Sequence, residues 1–297
     1  MNGLPILESV VVGGRLGAGS AAPVPWWSVG KTALAAAALA LVRDGRLSLD
    51  APFRGRRYTL RQLLNHTAGV SCYGPLPDYK QAVARGDAPW PVSELLARVQ
   101  ADDLRSAPGA QFLYSNVGYL FVRQTIEDVT GLPLNDALAR LVFAPLGVTD
   151  VRVGETADDL AACAWGNARR YDPRWVYHGL LIGPPASAVL FLDRLLGGDL
   201  LPSSVMADML RPFRVDEELP GRPFVAPGYG LGLMIDSNGR RGRMIGHTGG
   251  GPGSTCAAYH FPDRAPARTV AAFAPSDREG SDAVVENRVV ALAAGEA

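Results

Sequence analysis

In the stretch "PWWSVGKT", residues 25 to 32, Ser28 and Lys31 stand three residues apart. On an α-helix that spacing places both side chains on one face. A serine hydroxyl is a weak nucleophile until a neighbour takes its proton, and a lysine amine can do so once burial has depressed its pKa. Of the 29 Lys and Arg residues, only Lys31 and Lys80 are lysines. Arginine keeps its proton in proteins, so a rare lysine points to work that needs a neutral amine. Lys80 reads as a solvated surface residue. Ser28 would open a helix, where free backbone NH groups and the helix dipole favour developing negative charge. Gly30-Lys31-Thr32 also looks like the end of a phosphate-binding loop. That loop requires glycine at position 25, which is Pro, and a strand before it, for which "AAPVPWW" is a poor candidate. Nucleotide binding is set aside.

Two further clusters could join the chemistry: "YSN" at Tyr114, Ser115 and Asn116, and "HTGG" at His247, Thr248, Gly249 and Gly250. Lys and Tyr both titrate near pH ~10 in water, so a neutral Lys31 or an ionised Tyr114 at pH 7 needs burial and a coupled neighbour. Each residue also has an ordinary alternative: Tyr114 as a helix-entry aromatic, Asn116 as a cap, His247 as a satisfied strand residue. With the three motifs in order, the chain resembles the serine hydrolases of the penicillin-recognising superfamily, which includes class C β-lactamases, D-alanyl-D-alanine carboxypeptidases and related esterases. The connecting text "LVRDGRLSLDAP", "LRQLLNHTAGV", "YSNVGYLFVRQTIEDVTG", "FAPLGVTDV" and "GYGLGLMI" extends the likeness over most of residues 26 to 275.

The resemblance implies a role for each motif position. Ser28 would be the nucleophile that becomes acylated, Lys31 its proton acceptor and Tyr114 the second member of the proton relay. Asn116 would bond the acyl-side amide or carbonyl of the substrate, and Thr248 would donate to its polar tail. The backbone NH groups of Ser28 and Gly250 would form the oxyanion hole. His247, counted with Ser28, Lys31 and Tyr114 among the catalytic residues, stands where β-lactamases usually have Lys. With an ordinary pKa of ~6.5 it would offer a carboxylate only a fractional charge, so carboxylate binding should weaken as pH rises through that value.

The remaining candidates are weaker. His66, in "NHTAG", reads as structural, bonding nearby backbone, and His178 and His260 as ordinary partly buried histidines without metal spacing. GxSxG and HExxH are absent, so neither an α/β-hydrolase elbow nor a zinc motif is present, and no cofactor or metal is expected. Cys72, Cys163 and Cys256 form no CxxC pair and read as buried thiols in a reduced compartment. Two departures from the family text stand out. Only 27 residues precede Ser28, so one edge of the sheet is expected to be missing or rebuilt. In "YHGLLIGPPASAVLFLDRLL" two prolines interrupt what is usually a Gly-rich, Ser-Thr-containing helix start.

The elements that must position these residues follow from periodicity. The Ala- and Leu-rich run after Ser28, ending near Gly45, predicts a buried central helix. "VSELLARVQ", "YLFVRQTIEDVTG" and "SAVLFLDRLLGG" carry helical apolar spacing. "YGLGLMID", "RMIGHTG", "STCAAYHF" and "RTVAAFAP" read as strands of an antiparallel sheet, which "ESVVVGG" could join, and "DAVVENRVVALAAG" as a last helix. The expected class is α+β, β-lactamase/transpeptidase-like: one catalytic domain over 1–297, with a sheet-and-helix lobe from 1–52 and 226–297 and a mostly helical lobe from 53–225. Charge balances to zero with arginines scattered, which gives no footprint for nucleic acid or a membrane surface. No basic, apolar leader opens the sequence, and a cytoplasmic location is expected. The implied partner is a small ester or amide. β-Lactam or D-alanyl-D-alanine peptide hydrolysis, acyl transfer to a non-water acceptor, and an inactive binding protein on the same fold are the rivals.

Overall fold

Trp27, Ser28 and Val29 form one tight 3-10 turn that runs directly into the central helix, Gly30–Arg43. Its first twelve residues are all buried, as the sequence predicted for a run of small and apolar helix formers. Gly45, at φ 69°, ends it. The structure is a computed structural model that describes residues 5–166, 170–217, 219–239, 242–276 and 282–296.

Around the central helix the chain builds an α+β fold. Its main sheet contains β1 (Leu7–Val12), β2 (Arg15–Leu16), β6 (Phe213–Arg214), β7 (Pro227–Tyr229), β8 (Met234–Asp236), β9 (Met244–Gly251), β10 (Gly253–Phe261) and β11 (Arg268–Ser276). The order is β2-β1-β11-β10-β9-β8-β7-β6, antiparallel throughout. The strand expected from "ESVVVGG" is β1, which pairs Leu7 with Phe273 and Val12 with Arg268. The long strands are apolar on both faces because both faces are covered. The helix Pro185–Leu196 packs on one side, while the terminal helix Asp282–Ala294 covers Tyr259, Val270 and Ala272 on the other.

A smaller sheet, β3 (Val24–Pro25), β5 (Leu180–Gly183) and β4 (Arg152–Gly154), is ordered β3-β5-β4. It ties the segment ahead of Ser28 to residues 180–183: Trp26 N–H donates to the Leu181 carbonyl at 2.8 Å, and the Trp26 indole donates to that of Gly183 at 3.0 Å. The two prolines that depart from the family text start the next helix, Pro184 as its cap and Pro185 as its first residue.

One expected strand divides. "YGLGLMID" is β7 and β8 joined by a turn, because Gly232 takes φ 78° and its carbonyl accepts from Thr32 Oγ at 2.7 Å. A side chain there would meet the Lys31 carbonyl oxygen at 3.1 Å, so only glycine lets this turn lie against the central helix. Among the described residues, no helix is long and apolar enough to cross a membrane.

Candidate active site

Ser28 occupies the turn at the head of the central helix, and Lys31, one helical turn on, lies beneath it. Lys31 Nζ is 3.0 Å from Ser28 Oγ, and the Tyr114 hydroxyl donates to the same oxygen at 2.9 Å. Lys31 is fully buried, and desolvation pulls its amine from 10.5 down to about 7. Burial acts oppositely on Tyr114, raising the phenol well above its ordinary value against the smaller effect of its bond to Ser28. The pair therefore sorts itself: Lys31 is the group able to hold a lone pair near neutrality, and Tyr114 remains a protonated donor.

Tyr114 stands just before the cleft helix, Asn116–Thr130, which Ser115 caps by accepting from Gly118 N–H at 2.9 Å. His66 backs this segment. Its Nδ1 accepts from Ser115 N–H at 3.1 Å and its ring lies 4.2 Å from that of Tyr114, in keeping with its expected structural part. Asn116 opens the helix and lines the cleft beside Ser28. Its backbone N–H points to Cys72 Sγ at 3.4 Å, while its Oδ1 is buried without a protein partner. Cys72 is half-buried rather than buried as expected, whereas Cys163 and Cys256 are buried, and all three are free thiols.

Strand β9 closes the site from the opposite side. At Gly249 an added Cβ would stand 2.5 Å from the Ser28 nitrogen, so the strand lies directly on the Ser28 backbone and brings Gly250 beside it. Trp27 is held at φ 42°, an unusual conformation for a bulky residue, with its indole donating to Ser254 Oγ at 2.9 Å and its ring against Gly251. Strain of this kind persists where packing over-determines it.

Two expectations change at β9. His247 is 2% exposed, with Nε2 2.7 Å from the Tyr229 hydroxyl and Nδ1 2.6 Å from the Thr248 carbonyl. Burial, then the nearby Lys31, press its pKa from 6.5 down to about 3, so His247 is neutral at working pH and cannot titrate a carboxylate site between pH 6 and 8 as the ordinary value of ~6.5 implied. Thr248 Oγ donates to Glu286 at 2.5 Å and is 2.8 Å from the Tyr259 hydroxyl. Its proton is thus engaged within the protein rather than offered to a substrate tail. Glu286 is itself held by Arg222 through two bonds of 2.8 and 2.5 Å, which occupies a cation lining this side of the site.

Two cavities meet at Ser28 and Gly250. The larger, about 710 Å³, is walled by Trp27, Tyr73, Tyr79 and Tyr171, with Asp282 at its rim; the smaller, about 300 Å³, runs past Tyr114, His247 and Thr248. Sequence reasoning missed two of these residues. Asp282 carried no signal beyond its charge. His178, expected to be ordinary, is 3% exposed and places Nε2 3.2 Å from Lys31 Nζ; the only hint was that it lies in a segment departing from the family text. His260 is partly buried and bonded to Thr269 Oγ at 2.8 Å, as an ordinary histidine would be. Among the described residues there is no cluster able to hold a metal.

A hydroxyl held between a buried amine and a phenol, with β9 against its backbone, is an arrangement that nucleophilic acyl chemistry can use. A family model described as Beta-lactamase matches residues 13–295. The chain belongs to the β-lactamase family. A penicillin-binding protein of Bacillus subtilis (strain 168) is 25% identical over 71% of this chain and 50% of its own length. A D-aminopeptidase of Brucella ovis is 27% identical over 71% of this chain and 41% of its own. The chain thus spans about half the length of the curated relatives it matches. A solved D-stereospecific amidohydrolase from Streptomyces sp. superposes with a TM-score of 0.79 at 25% identity, covering 97% of this chain and 93% of that one. The family match bears out the resemblance read from the three motifs, and the α+β architecture is that of this family's fold.

Proposed function

We propose that this protein hydrolyses small amides or esters through an acyl-enzyme on Ser28, with D-configured amino-acid amides as the substrate class. One observation carries the reading: Ser28 Oγ lies within 3.0 Å of a fully buried amine and 2.9 Å of a protonated phenol. Neutral Lys31 takes the Ser28 proton as Oγ attacks the substrate carbonyl, and the Ser28 and Gly250 NH groups receive the tetrahedral oxygen. The proton taken by Lys31 reaches the leaving nitrogen by way of Tyr114, whose hydroxyl gives one proton and takes one, and the C–N bond breaks. Water then attacks the Ser28 ester, passing a proton to Lys31, and Ser28 leaves with a proton restored.

The substrate class is supported by the cleft and by the relatives. The aromatic wall of Trp27, Tyr73, Tyr79 and Tyr171 suits an apolar side chain, and the Asp282 carboxylate beside Gly250 suits a free ammonium. Two relatives are named for D-amino-acid or D-stereospecific cleavage. A β-lactam or a peptide carboxylate would instead find a neutral His247 and an Arg222 already paired with Glu286. A bond to a charged partner is worth about one or two powers of ten in binding, and this site forgoes it.

The test is a parallel assay of D- and L-phenylalanine amide, an uncharged short-chain nitrophenyl ester and a chromogenic cephalosporin, with Ser28→Ala as control. Intact-protein mass spectrometry after a fluorophosphonate should give a single adduct on the peptide carrying Ser28. The D-amide and the ester are expected to exceed the cephalosporin by about tenfold or more. Activity surviving in Ser28→Ala, or an adduct elsewhere, would sink the mechanism; faster cephalosporin turnover would sink the substrate class.

A further inference from the structure

His178 reaches the site from residues far away in sequence. Its Nε2 is 3.2 Å from Lys31 Nζ across a separation of 147 positions, delivered by β5, which follows at once and pairs with β3 ahead of Ser28. The ring is 3% exposed, and its Nδ1 has no protein partner although His178 lines the Ser28 cleft. We infer that His178 is a positioning residue for Lys31: it accepts a hydrogen bond from one amine N–H and so turns the amine lone pair toward Ser28 Oγ. The inference rests on the reading of Ser28 and Lys31 as nucleophile and base.

The proton transfer sets the arrangement. A neutral amine has two N–H bonds and one lone pair. Ser28 Oγ has two lone pairs and can accept from Tyr114 and from Lys31 together, but for Lys31 to take the serine proton its lone pair has to face that hydroxyl. One remaining N–H of Lys31 meets His178 Nε2, which must then be the unprotonated nitrogen of the ring. The tautomer is therefore Nδ1–H, with that nitrogen buried and without a protein partner. The opposite tautomer would point Nε2–H at the lone pair that Ser28 needs.

The same bond strengthens when the Ser28 proton moves. The ammonium then has three N–H groups, directed to Ser28 Oγ, to His178 Nε2 and toward the faces of Tyr114 and Tyr119, whose centroids lie 5.0 and 5.6 Å away. An acceptor that bonds a charged donor better than a neutral one raises the basicity of that donor. His178 itself stays neutral, through burial first and then through Lys31, Arg123, His247 and His66. Cys72 is the further ionisable group that acts on Lys31. His178 thus offsets part of what burial takes from Lys31, and orients it at the same time.

The experiment follows the rate of fluorophosphonate labelling of Ser28 from about pH 5 to 9, a range that brackets the Lys31 midpoint, in the wild type and in His178→Leu, His178→Asn and His178→Gln. Glutamine carries its amide oxygen out to the Nε2 position, whereas asparagine is too short. The midpoint is expected to fall by about one to two pH units in the Leu and Asn variants, with a lower plateau, and to return toward the wild type in Gln. If Leu does not fold, the Asn and Gln midpoints decide by the same comparison. A labelled wild type whose midpoint is unmoved in Leu or Asn, or a Gln variant no better than Asn, overturns the inference alone. A wild type unlabelled at Ser28 at every pH overturns the mechanism beneath it.

Discussion

Lys31 is fully buried, and its hydrogen-bonding neighbours Ser28 and His178 carry no formal charge. Without an anion to hold its proton, the amine is half neutral at about pH 7. Below that value the lone pair is occupied, so kcat/KM is expected to fall about tenfold per pH unit and to level off above it. Lys31→Arg should be nearly as inactive as Lys31→Ala, each down about a hundredfold or more, because guanidinium keeps its proton. Substantial activity in the Arg variant would mean that position 31 supplies only charge. Ser28, Lys31 and Tyr114 could be picked out in sequence because three motifs in order resemble those of a known family, and the structure brings their side chains together. His178 could not, since its approach depends on a pairing of β3 with β5 across text broken by prolines. The ordinary pKa assumed for His247 failed for a related reason: spacing identifies a residue type, but burial sets its charge.

Among the elements, β9 acts by proximity. Its Gly249 touches the Ser28 backbone so closely that any Cβ would displace one or the other. Gly249→Ala is expected to slow Ser28 labelling by about a hundredfold, the cost of a misplacement near 1 Å, while the circular-dichroism spectrum stays that of the folded protein. Labelling at the wild-type rate would show that β9 tolerates a shift. The long strands and the central helix were evident in sequence because composition and period agreed over many residues. The break between β7 and β8 was not, because a Gly-Leu-Gly-Leu run has strand-like composition and nothing in it records that Gly232 must lie against Lys31 and Tyr119.

Across the whole molecule, buried neutral bases set the acid limit of stability. Between 6.5 and about 3 the unfolded chain binds a proton at His247 that the folded one refuses, and His66 and His178 are depressed in the same direction by burial. Stability must therefore fall as pH falls from about 6.5, and melting temperature should drop accordingly. Lys31 acts likewise from 10.5 down to about 7, a cost of about 4 kcal/mol at neutral pH. Lys31→Met is expected to raise the melting temperature at pH 7 while abolishing turnover; a variant that melts lower would show that the amine's contacts outweigh its desolvation. The contact between Trp27 and Ser254 spans 227 positions, and it adds a matter of timing. Long closures of this kind form late, so during synthesis the serine and lysine exist together long before the strand that completes their surroundings. A chain arrested ahead of residue 254 should carry the whole motif and still ignore an acylating probe, so that reactivity marks the moment folding ends.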